Sequence, residues 1–366
     1  MRNDLIFQLA LCLVPNIGAV HAKILIDLYG SAAAVFGAKK SDLDKIEGIG
    51  IVRAKSIKDF RDFSRAEEEI SFLHKYKIKP LFLTDPDYPR RFLNCYDPPT
   101  VLFYKGKADL NAPRTIGIVG TRSNTDYGKQ VTEKLIKDLA SQNVIIISGL
   151  AFGIDSIAHK AALKNNIPTV GALGHGLDTI YPSENAGLAR DMIKHDGGLI
   201  TEFFSKTKPD KHNFPQRNRI VAGLCDATII VETNIKGGSM ITAELANGYN
   251  RDVFAIPGRI TDSKSSGSNY LIMNNKAILL SDTQQLIEIM GWEVRKPKIK
   301  KQKELFIDLS PEEKILIEIL LEKEHVHIDE INLRSGQSNS SVAAAILNLE
   351  LKGVIVSLPG KIYKLN

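Results

Sequence analysis

Six short apolar, β-branched runs between residues 114 and 260 constrain the fold most. They are Thr115–Val119, Val144–Ile147, Thr169–Leu173, Leu199–Thr201, Ala227–Val231 and Val253–Ile256, with helical patterns between them. Strands that are apolar at nearly every position are covered on both faces, and strand–helix alternation joins them in parallel. The pattern therefore predicts a doubly wound α/β sheet. Ligands of such sheets bind beyond the carboxyl ends of the strands.

The chain has 366 residues, enough for two or three domains at about 100–200 residues each. Ahead of the α/β pattern, Ile17-Gly18-Ala19-Val20-His21-Ala22-Lys23 repeats as Ile49-Gly50-Ile51-Val52-Arg53-Ala54-Lys55 at an offset of 32 residues. Each copy follows a tight turn and leads into a helix, which reads as two helix–hairpin–helix units. Such hairpins bring backbone N–H groups to a phosphate, with Lys23, Arg53 and Lys55 as candidate cations. A helical bundle whose turns merely need glycine explains the same pattern, and both readings stay open. Residues 66–110 are transitional, with short strands expected at Pro80–Leu83 and Thr100–Tyr104.

Past Glu293 the apolar pattern lapses into a basic linker, Arg295 to Lys303, read as a solvated tether. Order resumes at Ser310-Pro311-Glu312-Glu313, a helix start with a cap, a first-turn proline and acids. Helices are expected at 311–323, 327–334 and 339–351, then a hairpin around Pro359-Gly360: a winged helix. Its recognition helix, Ser338 to Leu351, is short of cations, and 310–366 holds six Lys/Arg against eight Asp/Glu. A helix that reads bases in a groove wants Arg, Lys, Asn or Gln. The module is a poor duplex reader and fits protein interaction better. The expected domains are 1–66 helical, 67–292 α/β, 293–307 linker and 308–366 winged helix.

Forty-eight Lys/Arg against 42 Asp/Glu give a net charge of +6, which permits nucleic acid without demanding it. The three isolated cysteines, Cys12, Cys95 and Cys225, suit a reducing cytosol and exclude a disulfide scaffold. No uncharged apolar run reaches the roughly 18 residues of a spanning helix, so no membrane role is expected. The N-terminal stretch imitates a signal peptide, but Asp4, Gln8 and the lack of an A-x-A site mark an amphipathic helix.

The strand ends carry Gly120-Thr121-Arg122-Ser123, Ser148-Gly149-Leu150-Ala151-Phe152-Gly153, Gly174-His175-Gly176 and Gly237-Gly238-Ser239. Small residues at helix starts make an anion site from backbone N–H groups and helix dipoles. The dinucleotide reading fails, because Gly117-Ile118-Val119-Gly120 is not G-x-G-x-x-G and the second strand ends in Ser148 rather than an acid. No cofactor is expected. The stretch Lys206 to Arg219 holds Lys206, Lys208, Lys211, Arg217, Arg219 and Phe214 within fourteen residues. Cations that track phosphates beside an aromatic face suit a single strand. Arg217 and Arg219 are alternatively buried partners of Glu232 or Glu202, a reading allowed for one of the two. Asp155 and His159 share a helix face without a third metal ligand, and Asp155 reads as a cap. A loop position explains His175. No Ser or Cys nucleophile has an evident base, so no catalytic residue is assigned.

Val119-Gly120-Thr121-Arg122, Ser148-Gly149-Leu150-Ala151-x-Gly153-Ile154-Asp155-x-x-Ala158-His159, Gly174-x-Gly176-Leu177-Asp178-x-x-Tyr181-Pro182-x-x-Asn185, Phe214-Pro215-x-Arg217-Asn218-Arg219-Ile220, Val231-Glu232 and Pro257-Gly258 together resemble the DprA/Smf family of DNA-processing proteins. The resemblance covers essentially the whole chain. It implies an extended Rossmann domain between a helix–hairpin–helix (SAM-like) domain and a winged helix. It also implies a cytoplasmic, non-enzymatic protein that binds and protects incoming single-stranded DNA and loads RecA recombinase during natural transformation or recombination. A homodimer through the Rossmann domain is implied as well. The family's single-strand pocket falls on Gly120, Arg122, Lys211 and Phe214, with Thr121, Ser148, Gly149, Arg217, Asn218, Arg219, Gly238 and Ser239 around it. Thr121 stands where serine is common, and Gly237-Gly238-Ser239 replaces Ser-Gly-Ser.

Two other readings compete. The α/β part also resembles nucleoside-monophosphate phosphoribohydrolases, of whose Gly-Gly-x-Gly-Thr and Glu the run Gly237 to Glu244 is a loose echo. A pure adaptor acting through the winged helix is the third. Leu271, Ile272, Ile278 and Leu279 are either a dimer surface or core.

Overall fold

Nine strands form the main sheet: β1 (Lys79–Phe82), β2 (Val101–Gly106), β3 (Thr115–Val119), β4 (Ile145–Ser148), β5 (Thr169–Ala172), β6 (Gly198–Thr201), β7 (Ala227–Ile230), β8 (Asp252–Ala255) and β9 (Ile278–Leu279). The computed structural model describes residues 2–292, 309–358 and 360–366. Strands β3 to β8 are the six apolar runs, each boundary within one residue of expectation. The sheet order is β1-β2-β6-β5-β4-β3-β7-β8-β9. From β6 across to β9 every pairing is parallel, whereas β1 and β2 join antiparallel beyond β6. Strand succession reverses between β3 and β7, the switch point at which open sheets of this kind leave a crevice.

Six helices precede the sheet: α1 (Arg2–Leu13), α2 (Ala19–Tyr29), α3 (Ala32–Gly37), α4 (Lys40–Leu43), α5 (Gly50–Asp59) and α6 (Ser64–Tyr76). Eight accompany it: α7 (Arg90–Leu93), α8 (Asp126–Asp138), α9 (Ile154–Lys164), α10 (Ala186–Lys194), α11 (Asn213–Leu224), α12 (Gly238–Gly248), α13 (Ser266–Met273) and α14 (Thr283–Ile289). Successive residues of a strand face opposite sides, and β4 obeys this: Ile146 packs with Ile136 and Ala158, while Ile145 and Ile147 join the core of Val221 and Ala243. Both faces are thus buried, which is why these strands carry no alternation of polar residues.

The helices α1 to α6 share that second core. Leu9, Leu25 and Ala54 belong to one cluster with Phe82 and Phe103. A buried polar clasp adds to it: Glu69, 1% exposed, accepts from Ser205 N at 3.0 Å and Ser205 Oγ at 2.6 Å, and Arg65 donates to Glu69 at 2.8 Å. Residues up to 293 accordingly form one unit, and 294–366 a second. Both repeat copies open helices, α2 and α5. Two of their three candidate cations serve the protein itself: Lys23 donates to the carbonyls of Leu93 and Cys95, and Arg53 to that of Asn16.

The second unit has α15 (Pro311–Glu322), α16 (Ile328–Ser335) and α17 (Asn339–Leu351) with β10 (Val326–His327), β11 (Ile355–Leu358) and β12 (Ile362–Leu365), in sheet order β10-β12-β11. This is a winged helix, as expected. Ser310 and Glu313 form a reciprocal capping box at the start of α15. The exposed positions of α17 are Asn339, Ser340, Ala343, Ala344, Leu347, Asn348 and Leu351, with no cation among them. The basic stretch 293–307 and Pro359 lie outside the described residues. Among the described residues no helix is long and apolar enough to cross a membrane.

Candidate functional site

Loops leaving the carboxyl ends of β3 to β7 enclose a cavity of about 720 Å³ at the switch point. Ten of the twelve residues singled out in the sequence line it: Gly120, Thr121, Arg122, Gly149, Lys211, Phe214, Arg217, Asn218, Gly238 and Ser239. Three helices begin at its wall, α9, α11 and α12, and none has a side-chain cap. Their positive dipole ends favour an anion, although the first N–H of α9 is already bonded to Thr121 O at 3.2 Å and that of α11 to Asp210 O at 3.1 Å. At α12 the Ser239 hydroxyl is buried without a partner, a donor still unspent beside the exposed turn. Asn218 donates to the Gly238 carbonyl at 3.2 Å and ties α11 to that turn.

Phe214 is half-buried at the start of α11. The Arg122 guanidinium lies over its ring, 5.2 Å from the centroid, and Tyr181 lies 5.9 Å away at 33°. Arg122 and Lys211 are exposed and in no ion pair among the described residues. Elsewhere in the basic stretch, Lys206 is paired with Glu68 at 2.8 Å, while Lys208 is unpaired. The cations free to meet a ligand are therefore fewer than the sequence count.

Arg217 forms the floor. It is 5% exposed, donates to the Ala172 carbonyl at 2.8 Å, and its Nε has no partner. Its guanidinium runs directly beneath Gly149: a Cβ there would sit 1.8 Å from Nη1, so only glycine permits the crossing. Burial lowers the Arg217 pKa, opposed by Asp155, and burial raises that of Asp155, opposed by Arg217. Asp155 is not the cap residue of α9, a place taken by Gly153. Its carboxylate instead reaches back to Ala151 N at 3.4 Å and faces the buried cation.

The remaining two residues do not reach the cavity. Ser148 is fully buried in β4, where its hydroxyl donates to the Ile118 carbonyl at 2.6 Å. Arg219 points away from it and pairs with Glu202 and Asp97. Burial opposes its charge, but the Glu202 carboxylate raises its pKa above the ordinary value. The sequence allows a buried structural role for one arginine, but the structure buries both: Arg219 has the expected partner Glu202, and Arg217 bonds the Ala172 carbonyl beside Asp155. Glu232 instead accepts from Thr125 N at 2.9 Å and from the Thr125 hydroxyl. Tyr181, Thr233 and Asn234 line the cavity without having been singled out. Tyr181 had a signal, its place in the Gly174 to Asn185 motif. Glu244, the carboxylate of the hydrolase reading, is exposed on α12 and does not line the cavity. His159 is wholly buried and bonded to Thr169 at 2.7 Å, and His175 is buried against Gly176 O.

Fold and cavity together define a doubly wound α/β protein whose switch-point crevice is basic and aromatic, with a winged-helix unit after it. Residues 79–291 match the family described as DNA recombination-mediator protein A, and 305–361 match the DprA winged helix domain. The chain is 36% identical over 295 residues to protein Smf of Synechocystis, covering 79% of this chain and 73% of that one. The X-ray structure of DNA processing protein A from Streptococcus pneumoniae superposes with a TM-score of 0.62 at 32% identity, over 77% of this chain and 97% of that one. A structure of DNA processing protein A from Helicobacter pylori, described as giving insight into a single-stranded DNA binding mode, superposes at 0.53 and 33% identity, over 59% of this chain and 96% of that one. The chain belongs to the DprA/Smf family of recombination mediators.

Proposed function

We propose that the chain binds single-stranded DNA in the switch-point cavity, protects it, and hands it to RecA recombinase. The observation that carries this reading is the pairing of two unpaired cations, Arg122 and Lys211, with the half-exposed ring of Phe214 beside three uncapped helix starts. Phosphates bind at the glycine turns and on the cations, and a base stacks on Phe214. A single strand presents its base faces to such a site, whereas a duplex keeps them stacked inside.

In this reading residues 67–292 hold the strand and 308–366 serve protein contacts, consistent with the exposed Leu347 and Leu351 and the lack of exposed cations on α17. No residue acts as a catalyst, no cofactor is needed, and the protein works in the cytoplasm. Self-association uses the β9 edge, where Ile278, Leu279 and Met273 are exposed, whereas Leu271 is fully buried core.

The test is titration of labelled oligo-dT and a matched duplex across several salt concentrations. Single-strand preference is expected, with log affinity falling about 0.7 per log unit of salt for each phosphate neutralised. Equal affinity for both, or release of free base from a nucleoside monophosphate, overturns the reading.

A further inference from the structure

A second cavity, of about 570 Å³, opens beyond the carboxyl ends of β3 and β8. Its walls come from Thr125 and Tyr127 on one side and from Pro257, Arg259, Asp262 and Ser265 on the other. We propose that it is a second nucleotide subsite, which takes a further base and phosphate of the single strand held in the main cavity. This rests on the single-strand reading above and extends it.

The chemistry is that of the first site in different residues. Tyr127 is 45% exposed, and its hydroxyl donates to the Pro257 carbonyl at 2.9 Å. The ring is therefore fixed before any ligand arrives, which reduces the ordering cost of stacking a base on it. Arg259 is exposed and in no ion pair among the described residues. Lys264, on the same loop, and Lys236, in the turn that also gives Asn234 and Gly237 to the main cavity, are likewise unpaired. Asp262 is the lining carboxylate, and it is turned into its own loop: it accepts from Lys264 N at 3.0 Å and Ser265 Oγ at 3.4 Å. Cations thus face outward and the acid inward.

A single rigid loop joins the two cavities. Thr121 and Arg122 line the first and Thr125 lines the second. Arg122 and Thr125 are three residues apart, so their Cα atoms are at most about 11 Å apart. That is short beside the roughly 4–16 nucleotides that single-strand grooves hold. Glu232 pins both ends of the loop: its carbonyl accepts from Thr121 N at 2.7 Å, and its buried carboxylate accepts from Thr125 N at 2.9 Å. The carboxylate also fills the space beside Gly128, where a Cβ would lie 2.3 Å from Oε2. The loop is a fixed wall between two hollows, each lined by an aromatic ring and at least one cation in no ion pair among the described residues.

The experiment uses the full chain and two labelled probes, an oligo-dT of about 4 nucleotides and one of about 20, bracketing known site sizes. Tyr127→Ala should weaken the longer probe about tenfold and leave the shorter one unchanged, while Tyr127→Phe, which keeps the ring but loses its tether to Pro257, should fall between wild type and alanine for the longer probe. Arg259→Ala, which removes no side-chain hydrogen bond or ion pair among the described residues, should lower the salt slope by about 0.7 for the longer probe alone. It also keeps the test decisive if Tyr127→Ala fails to fold. Phe214→Ala should weaken both probes and reports on the main cavity. If Tyr127→Ala and Arg259→Ala bind both probes like wild type while Phe214→Ala binds neither, the second subsite is overturned and the main reading stands. If wild type binds neither probe, both fall. If the variants change sedimentation but not DNA affinity, the cavity is a contact between copies of the chain and the subsite is overturned.

Discussion

The guanidinium of Arg122 covers the face of Phe214, 5.2 Å from the ring centroid. A cation over an aromatic face is favourable when nothing else is there, at about 0.5–1 kcal/mol for an exposed pair. Under the single-strand reading, a base stacking on Phe214 would displace the guanidinium and leave it to meet a phosphate. In the proposed function the ring and the cation would therefore act in sequence on one nucleotide. Phe214→Ala should cost about 1–3 kcal/mol of single-strand affinity, and Phe214→Tyr should retain most of it. Fluorescence anisotropy with labelled oligo-dT measures both, and an alanine variant that binds like wild type rejects the stacking role.

Lys211 and Lys206 lie five residues apart but differ in what they meet. Lys211 lines the cavity unpaired, whereas Lys206 is bonded to Glu68 at the surface. Lys211→Ala should therefore reduce the salt slope of single-strand binding by about 0.7, the loss of one phosphate contact. Lys206→Ala should leave the slope unchanged. Binding curves at four or five salt concentrations separate the two, and equal slopes for both variants contradict the assignment.

The contrast marks what a sequence can carry. The strands β3 to β8 were legible because doubly buried strands must be apolar throughout, and that pattern is local. The two residues of β9, Ile278 and Leu279, are too few to show a period, and only their pairing with Phe254 and Ala255 makes them a strand. The antiparallel docking of β2 on β6 joins residues about a hundred apart and left no local trace. At the site, residue types and glycine turns were legible, and so was the crevice. Which arginine faced it was not: Arg217 and Arg219 sit on opposite sides of one helix turn, and the arbiter is Glu202, brought close by the sheet. Leu271 and Leu279 looked alike in sequence, yet one is core and the other exposed.

That burial gives Arg219 a stability role. Its side chain is 11% exposed and that of Glu202 9%, so removing the cation leaves a carboxylate largely shut off from water. Arg219→Ala should cost about 3–5 kcal/mol of stability, because the stranded charge has lost its compensation. The double variant Arg219→Met with Glu202→Leu should recover much of the loss. Thermal unfolding of the three proteins tests this, and an Arg219→Ala protein as stable as wild type refutes it.

His159 makes stability depend on pH. It is 0% exposed, bonded to Thr169, and burial together with the Arg217 charge pushes its pKa down from 6.5 to about 3. Between these values the unfolded chain binds a proton there and the folded one does not. Stability from this residue is therefore complete above pH 6.5 and falls as pH drops toward 3, by up to about 1.4 kcal/mol per pH unit. His159→Gln can keep a polar contact to Thr169 without the titration. Urea unfolding at pH 7 and pH 5 should show wild type losing about 2 kcal/mol more than the variant between the two, the part of the linkage that falls in this window. Equal losses would mean that His159 is protonated in the folded protein, and that its surroundings are wetter than the buried contact with Thr169 implies.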